Sequence, residues 1–222
     1  SEHAEIYIND AFGTSHRSHA SNVGVPAFMR ERAIGLLMNK ELKYFLDIMN
    51  NPKNPSAVIL GGAKIVDKIK LINNIILKTD TIIIGGAMAF YFLKAQGKNI
   101  GSFVINEKYI HLAEDILNLV ENNNTNLALP VDVIAASKLS RDTTWRIKNI
   151  DDLEDNEMGY DIGPITTINF ELLLSDKKTI FWNGPMGVYE IPAFSTGTQS
   201  IASAIRNQTE KGAISIIGGG DT

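Results

Sequence analysis

Lys64 and Lys68 stand four residues apart, immediately behind the turn Gly61-Gly62-Ala63. On a helix that spacing puts both ammonium groups on one face. The positive end of the helix dipole already favours anions there, so two cations at that place call for a neutralising partner. A multiply charged phosphate supplies one, whereas on an arbitrary exposed helix the same pair is a solvated face. The apolar run and glycine pair ahead of Lys64 favour the anion. A second set of chemistry-bearing residues closes the chain, Gly218-Gly219-Gly220-Asp221-Thr222. Asp221 there could hold magnesium, a hard cation that combines few carboxylates with phosphate oxygens, or could cap a following helix beside Thr222. A third set is Asn183-Gly184-Pro185-Met186-Gly187-Val188-Tyr189-Glu190, where Glu190 could accept from ribose hydroxyls or be a plain surface carboxylate. None of these loops matches G-x-x-x-x-G-K-[ST] or G-x-G-x-x-G, which argues against a P-loop NTPase and a nicotinamide-dependent oxidoreductase. Spacing alone reaches a nucleotide or phosphate binder and stops there.

The elements that must position these residues are legible as apolar runs ending in glycine or proline. Four are Ala57–Leu60, Thr81–Ile84, Thr179–Trp182 and Ala213–Ile217, followed by Gly61-Gly62, Gly85-Gly86, Asn183-Gly184-Pro185 and Gly218-Gly219-Gly220. A fifth, Leu127–Leu129, runs into Pro130 and on through Val131-Asp132-Val133. Continuous apolar runs are the mark of buried parallel strands. Between them lie helical stretches near 64–78, 87–97, 107–122, 165–175 and 196–210, an alternation that predicts an α/β, doubly wound, Rossmann-like parallel sheet. Such sheets bind ligands beyond the carboxyl ends of their strands, and glycine turns there would let backbone N–H groups cradle an anion. Earlier in the chain, a short strand over Glu5–Ile8 precedes a polar loop, and a helix is expected from about Arg32 to Met49. Asn50-Asn51-Pro52-Lys53-Asn54-Pro55 stops that helix. The charged segment 138–163 reads as a surface excursion, a hairpin by its pattern.

Composition sets the outer limits. The chain has 222 residues, 44% hydrophobic, with no cysteine and a formal net charge of −4. Disulfides, thiolate metal sites and cysteine nucleophiles are therefore excluded. The mild charge without a basic tract argues against nucleic acid, and no stretch is long enough to span a bilayer as a helix. A soluble, cytoplasmic enzyme is the class this suggests. Because the chain opens at Ser1 and stops at Thr222 directly after a glycine run, both ends read as truncated.

The order of segments resembles the phosphoglycerate kinase family. The matching stretches are Ile8-Asn9-Asp10-Ala11-Phe12-Gly13-Thr14 with His16, Arg17 and His19, then Leu60-Gly61-Gly62-Ala63-Lys64 with Asp67-Lys68-Ile69. Ile84-Gly85-Gly86-Ala87-Met88-Ala89, Leu129-Pro130-Val131-Asp132 and Gly159-Tyr160-Asp161-Ile162-Gly163-Pro164 follow. Phe181-Trp182-Asn183-Gly184-Pro185-Met186-Gly187-Val188 and the closing Gly218–Thr222 complete the series. The resemblance implies a two-domain hinge kinase with 3-phosphoglycerate on one domain and ATP or ADP on the other. Residues 1–29 would then be the end of the N-terminal domain, 30–55 the interdomain helix and linker, and 56–222 the nucleotide domain, truncated at its C-terminal end. Arg17 is implied on the acid substrate's phosphate, Lys64 on the phosphoryl group in flight and Lys68 on the nucleotide phosphates. Gly62, Ala63, Gly85, Gly86 and Gly159 are implied at the nucleotide site, with Gly85, Gly86 and Gly159 walling the adenine and ribose. Asn183, Gly187, Val188 and Glu190 would line the nucleotide. Gly219, Gly220, Asp221 and Thr222 would cradle the terminal phosphates and Mg²⁺, Gly219 with a catalytic role and Asp221 as the metal ligand.

That resemblance implies reversible phosphoryl transfer between ATP and a carboxylate in glycolysis and gluconeogenesis, by a monomer. No general base is required, since the acceptor is already ionised; His16 and His19 fit a hydrogen-bonded structural role near Arg17 better. The family's early acid-binding segments, including its H-x-G-R-type loop, have no counterpart here, so the chain by itself is expected to be inactive. Two other readings stay open at this level: a non-catalytic nucleotide-binding fragment, and a kinase of similar architecture acting on another acid.

Overall fold

The computed structural model describes residues 4–220 and Thr222, and the chain divides into two units, Ser1–Asn51 and Pro52–Thr222. In the first unit, β1 (Ile6–Asn9) pairs in parallel with β2 (Glu31–Ile34), with Ile6 opposite Glu31 and Asn9 opposite Ile34. Between them lie a 3₁₀ turn at Phe12–Thr14, a π-type turn at Ala20–Gly24 and the short α1 (Val25–Ala27). The helix expected from Arg32 begins later, as α2 (Leu36–Asn50). Arg32, Ala33 and Ile34 are committed to the ladder with β1, and Gly35 lies against Asp10, where a β-carbon would overlap the carboxylate. That carboxylate accepts from the Met38 N–H at 2.8 Å and so caps α2 from a distant loop.

The second unit holds a five-stranded parallel sheet: β3 (Ser56–Leu60), β4 (Thr81–Ile84), β5 (Asn126–Ala128), β9 (Thr179–Asn183) and β10 (Ile214–Gly218). Its spatial order is β10-β9-β3-β4-β5, every pairing parallel. Counted along the sheet, the strands run 3-2-1-4-5, a Rossmann-like order that reverses direction between β3 and β9. Successive side chains of a strand face opposite ways, and here both faces are apolar and buried. Ala57, Ile59, Ile83, Ile180 and Trp182 pack with Phe170 and Leu174 of α6 (Pro164–Leu174) and Ile201 and Ile205 of α7 (Thr196–Glu210). Val58, Leu60, Ile82 and Ile84 are equally buried on the other face. The remaining helices are α3 (Ile65–Ile75), α4 (Ala89–Ala95) and α5 (Glu107–Asn122), of which α5 packs on both α3 and α4. The doubly wound fold expected from the sequence is therefore present.

Two expectations need correction. The apolar run 127–133 is two strands, not one. Pro130 has no N–H to continue a ladder, and β6 (Asp132–Ala136) beyond it enters a separate antiparallel sheet of order β7-β6-β8. Segment 138–163 supplies the partners, β7 (Trp145–Asn149) and β8 (Met158–Ile162). It is no mere surface excursion, because Gly159, Asp161 and Ile162 are buried.

Asp132 begins β6 with no solvent exposure at all. Its carboxylate accepts from the Ile165 N–H at 3.0 Å, the Thr166 N–H at 2.7 Å and the Thr166 hydroxyl at 2.6 Å, and so caps α6 across the fold. Asp132→Ala would leave these buried donors unsatisfied, at a cost of about 3–5 kcal/mol. The urea midpoint should fall accordingly at an unchanged m-value.

Candidate nucleotide site

The register places the glycine turns side by side. Leu60 of β3 lies opposite Ile84 of β4 and Asn183 of β9, and Asn183 lies opposite Gly218 of β10. Gly61, Gly85, Gly184 and Gly219 thus leave the sheet at one edge, as expected, and the β3–β9 reversal falls at its middle.

The glycine N–H groups of the turns after β3 and β4 are not presented to a ligand, however. Gly61 donates to Asn183 O at 3.0 Å, Gly62 to Pro185 O at 2.8 Å, Gly86 to Met186 O at 3.0 Å and Gly85 to Leu60 O at 2.8 Å. Met88 N–H closes the set on Gly62 O at 2.9 Å. The anion cradle expected of these particular glycines is therefore replaced by backbone-to-backbone bonding between the loops after β3, β4 and β9. Glycine is required for that closeness: a β-carbon at Gly61 would overlap the Pro185 and Gly184 carbonyls. Gly184 also holds φ at +95°, in the region that side chains rarely adopt. Its carbonyl accepts from the buried Trp182 indole N–H at 2.8 Å, and its N–H donates to the Thr222 hydroxyl at 2.8 Å.

Lys68 fastens the same junction. Its Nζ donates to Gly61 O at 2.7 Å and to both Asn183 O and Asn183 Oδ1 at 2.8 Å. Lys64 behaves differently. It is the N-cap residue of α3, with φ −93° and ψ 89°, so it precedes the helix and does not share a helical face with Lys68. Its side chain is exposed and has no hydrogen bond or ion pair among the described residues. A lysine offers no side-chain acceptor to the first N–H groups of α3, so that end of the helix carries both dipole and ammonium charge.

Beside this junction is a cavity of about 260 Å³. Its walls come from the loops after β3 and β4 (Gly62, Ala63, Gly86, Ala87), from Phe90, Pro130 and Val133, from β8, and from the loop 185–190. Seven residues singled out in the sequence meet there: Gly62, Ala63, Gly86, Gly159, Gly187, Val188 and Glu190. Gly85 sits just behind the wall, where a β-carbon would strike the Met186 side chain. Asn183, Gly219 and Thr222 form a neighbouring patch; a β-carbon on Gly219 would lie 2.9 Å from the Thr222 hydroxyl and 3.6 Å from the Asn183 amide. Gly220 is exposed next to them, and Asp221 lies outside the described residues. Arg17 is an exposed residue of the first unit, as are His16 and His19, neither of which has a side-chain hydrogen bond among the described residues. The hydrogen-bonded role expected of those imidazoles near Arg17 is thus absent.

Sequence reasoning missed Phe90, Met158, Tyr160, Asp161 and Met186 as cavity residues. Four of them look like ordinary core positions. Asp161 carries a signal that spacing cannot show: it is 3% exposed, accepts from Gly197 N–H at 2.8 Å and Ile162 N–H at 2.9 Å, and is paired with no cation among the described residues. Burial pushes its carboxyl up to about 7, against the pull of those two donors. Tyr160 beside it is raised by burial too.

A family model described as phosphoglycerate kinase matches residues 1–222. The chain belongs to the phosphoglycerate kinase family. It is 49% identical over 218 residues to the phosphoglycerate kinase of Prosthecochloris aestuarii, covering 98% of this chain and 55% of that protein. Against the phosphoglycerate kinase of Thermosipho africanus it is 48% identical over 222 residues, covering 100% of this chain and 55% of the relative. The structure of phosphoglycerate kinase from Coxiella burnetii superposes with a TM-score of 0.87 at 41% identity, covering 97% of this chain and 55% of that one. The chain therefore spans about half the length of the phosphoglycerate kinases it matches.

Proposed function

We propose that the second unit is the nucleotide-binding part of a phosphoglycerate kinase, which moves a phosphoryl group reversibly between ATP and 3-phosphoglycerate. One observation carries this: at the β3–β9 reversal, a cavity walled by Phe90, Val133, Met158 and Tyr160 adjoins the N-terminus of α3 with Lys64 upon it. A flat apolar base fits the first feature and a polyphosphate the second, and the crevice at such a reversal is where open α/β sheets take nucleotides. Gly62, Ala63, Gly86, Gly159, Gly187 and Val188 wall the base and ribose, with Gly85 behind, and Glu190 accepts from the ribose.

The protein's part in transfer is positioning and charge neutralisation, as phosphoryl transfer with an ionised acceptor demands no base. Lys64 meets the phosphoryl group between donor and acceptor. Lys68 keeps the two central loops at their spacing while adding positive potential beneath the phosphates. Asn183, Gly219, Gly220 and Thr222 border the terminal phosphates. Among the described residues no three His, Asp or Glu side chains gather as a metal cage. Mg²⁺ is commonly held by one or two carboxylates together with substrate phosphates, and Asp221 would be the carboxylate here. When bound, the ion would supply charge neutralisation at the phosphates. Arg17, of the first unit, would hold the phosphate of the acid by its guanidinium fork. A cytoplasmic, monomeric, glycolytic enzyme is the setting we infer; no described helix is long and apolar enough to cross a membrane.

The 222-residue chain should bind Mg·ADP yet transfer no phosphoryl group to 3-phosphoglycerate in a coupled assay. Robust turnover by the chain alone would overturn this division of labour. Nucleotide binding without turnover, even in a protein of the relatives' full length, would favour the non-catalytic reading.

A further inference from the structure

Asp161 joins three elements beneath the cavity. It belongs to β8, its Oδ2 accepts from Gly197 N–H in the first turn of α7, and its carboxyl fills the space that a side chain on Gly187 or Gly197 would need. One residue earlier, Tyr160 O accepts from Val188 N–H at 2.9 Å. The loop that lines the cavity is thus seated on β8 at two adjacent points, and one of them is a buried carboxyl that no cation among the described residues pairs with.

We propose that Asp161 is a positioning residue of this pocket, seating the 187–188 loop and α7, and that it takes up a proton from solvent when a nucleotide fills the cavity. The inference rests on the nucleotide reading of the cavity. A bound nucleotide removes the remaining water from around the carboxyl and brings further negative charge near it. Both effects disfavour the ionised form. The sign follows from linkage: binding raises the pKa of a group already at about 7, so the bound state holds more protons. Affinity is then fully present below the ligand-free pKa and is lost as pH rises through that of the complex. The other titratable or charged groups on the elements packed around Asp161 are Tyr160 on β8, Tyr189 and Glu190 on the loop, Asp132 on β6, and Arg206 and Glu210, paired with each other further along α7.

The test is calorimetric titration of the chain with ADP at about pH 6, 7 and 8, in buffers of different ionisation enthalpy, on the wild type and on Asp161→Asn. Titration of the phosphate itself is common to both proteins and cancels in the difference. The wild type should take up roughly half a proton more per ADP near pH 7, and its affinity should fall about threefold to tenfold more steeply across the range. Asp161→Ser, whose small neutral hydroxyl leaves no amide donor facing Gly197 N–H, repeats the comparison where the asparagine compromises folding. Equal proton uptake and parallel pH profiles would overturn the proposal and leave the nucleotide site standing. Failure of the wild type to bind ADP at any of these pH values would overturn the nucleotide reading, and the proposal with it.

Discussion

Lys64→Ala should lower kcat by about 10²–10³-fold in an enzyme of the relatives' full length carrying this sequence, with a much smaller change in nucleotide KM. Charge on the transferring phosphoryl group spreads over its equatorial oxygens in the transition state. A fixed cation there stabilises that state more than either bound substrate. Loss of one such preorganised electrostatic contact typically costs about 3–4 kcal/mol. The geometry suits the assignment, since Lys64 stands exposed at the head of α3 and no described residue holds its ammonium. Lys64 is exposed and gives α3 no side-chain cap, so the fold should survive its truncation. Lys68→Ala is expected to differ in kind. It removes the donor that bridges Gly61 O to Asn183, so it should weaken nucleotide binding and lower stability together. Steady-state kinetics and urea unfolding on both variants separate the roles. An unchanged kcat for Lys64→Ala would leave that lysine a solvated surface charge.

Gly184→Ala should destabilise the second unit by about 3–5 kcal/mol and abolish nucleotide binding. The backbone at +95° strains any side chain, and the new β-carbon would overlap the Gly61 carbonyl and press on the Lys68 ammonium. Neither a backbone carbonyl bonded into the junction nor a lysine with three acceptors can retreat cheaply. Relief would come by parting the loops after β3 and β9, which is where the cavity and the head of α3 meet. Denaturant unfolding and ADP titration measure both effects. A stable, ADP-binding Gly184→Ala protein would show that the junction is looser than its hydrogen bonds imply.

The parallel strands were readable because burial on both faces leaves little but aliphatic residues, as in Ile82-Ile83-Ile84. Their alignment into one glycine edge followed from where each run ended. What pattern could not show was long-range. Asp10, Asp132 and Asp161 each cap a helix from a separate loop or strand, between 28 and 36 residues away in sequence. No local cap motif marks them, and they stood out only within segments shared with the family. The split at Pro130 hid because apolar residues resume directly after it, at Val131 and Val133. β8 hid because the five residues Met158–Ile162 sit at the end of a charged segment. The glycine pairs were rightly placed but given the wrong partner, since a turn that allows close approach to an anion allows equally close approach to a neighbouring loop. Lys68 misled for the same reason, its charge being turned onto carbonyls that sequence does not reveal.

The claim that matters most is that the cavity beside the β3–β9 reversal holds the nucleotide. It is tested directly by following backbone amide resonances of the ¹⁵N-labelled chain as Mg·ADP is added. Saturable shifts should gather at Gly62, Ala63, Gly86, Gly159 and Val188 and at the head of α3. Shifts confined to the opposite end of the sheet, around Asn123–Thr125, or no shifts at saturating nucleotide, would contradict it.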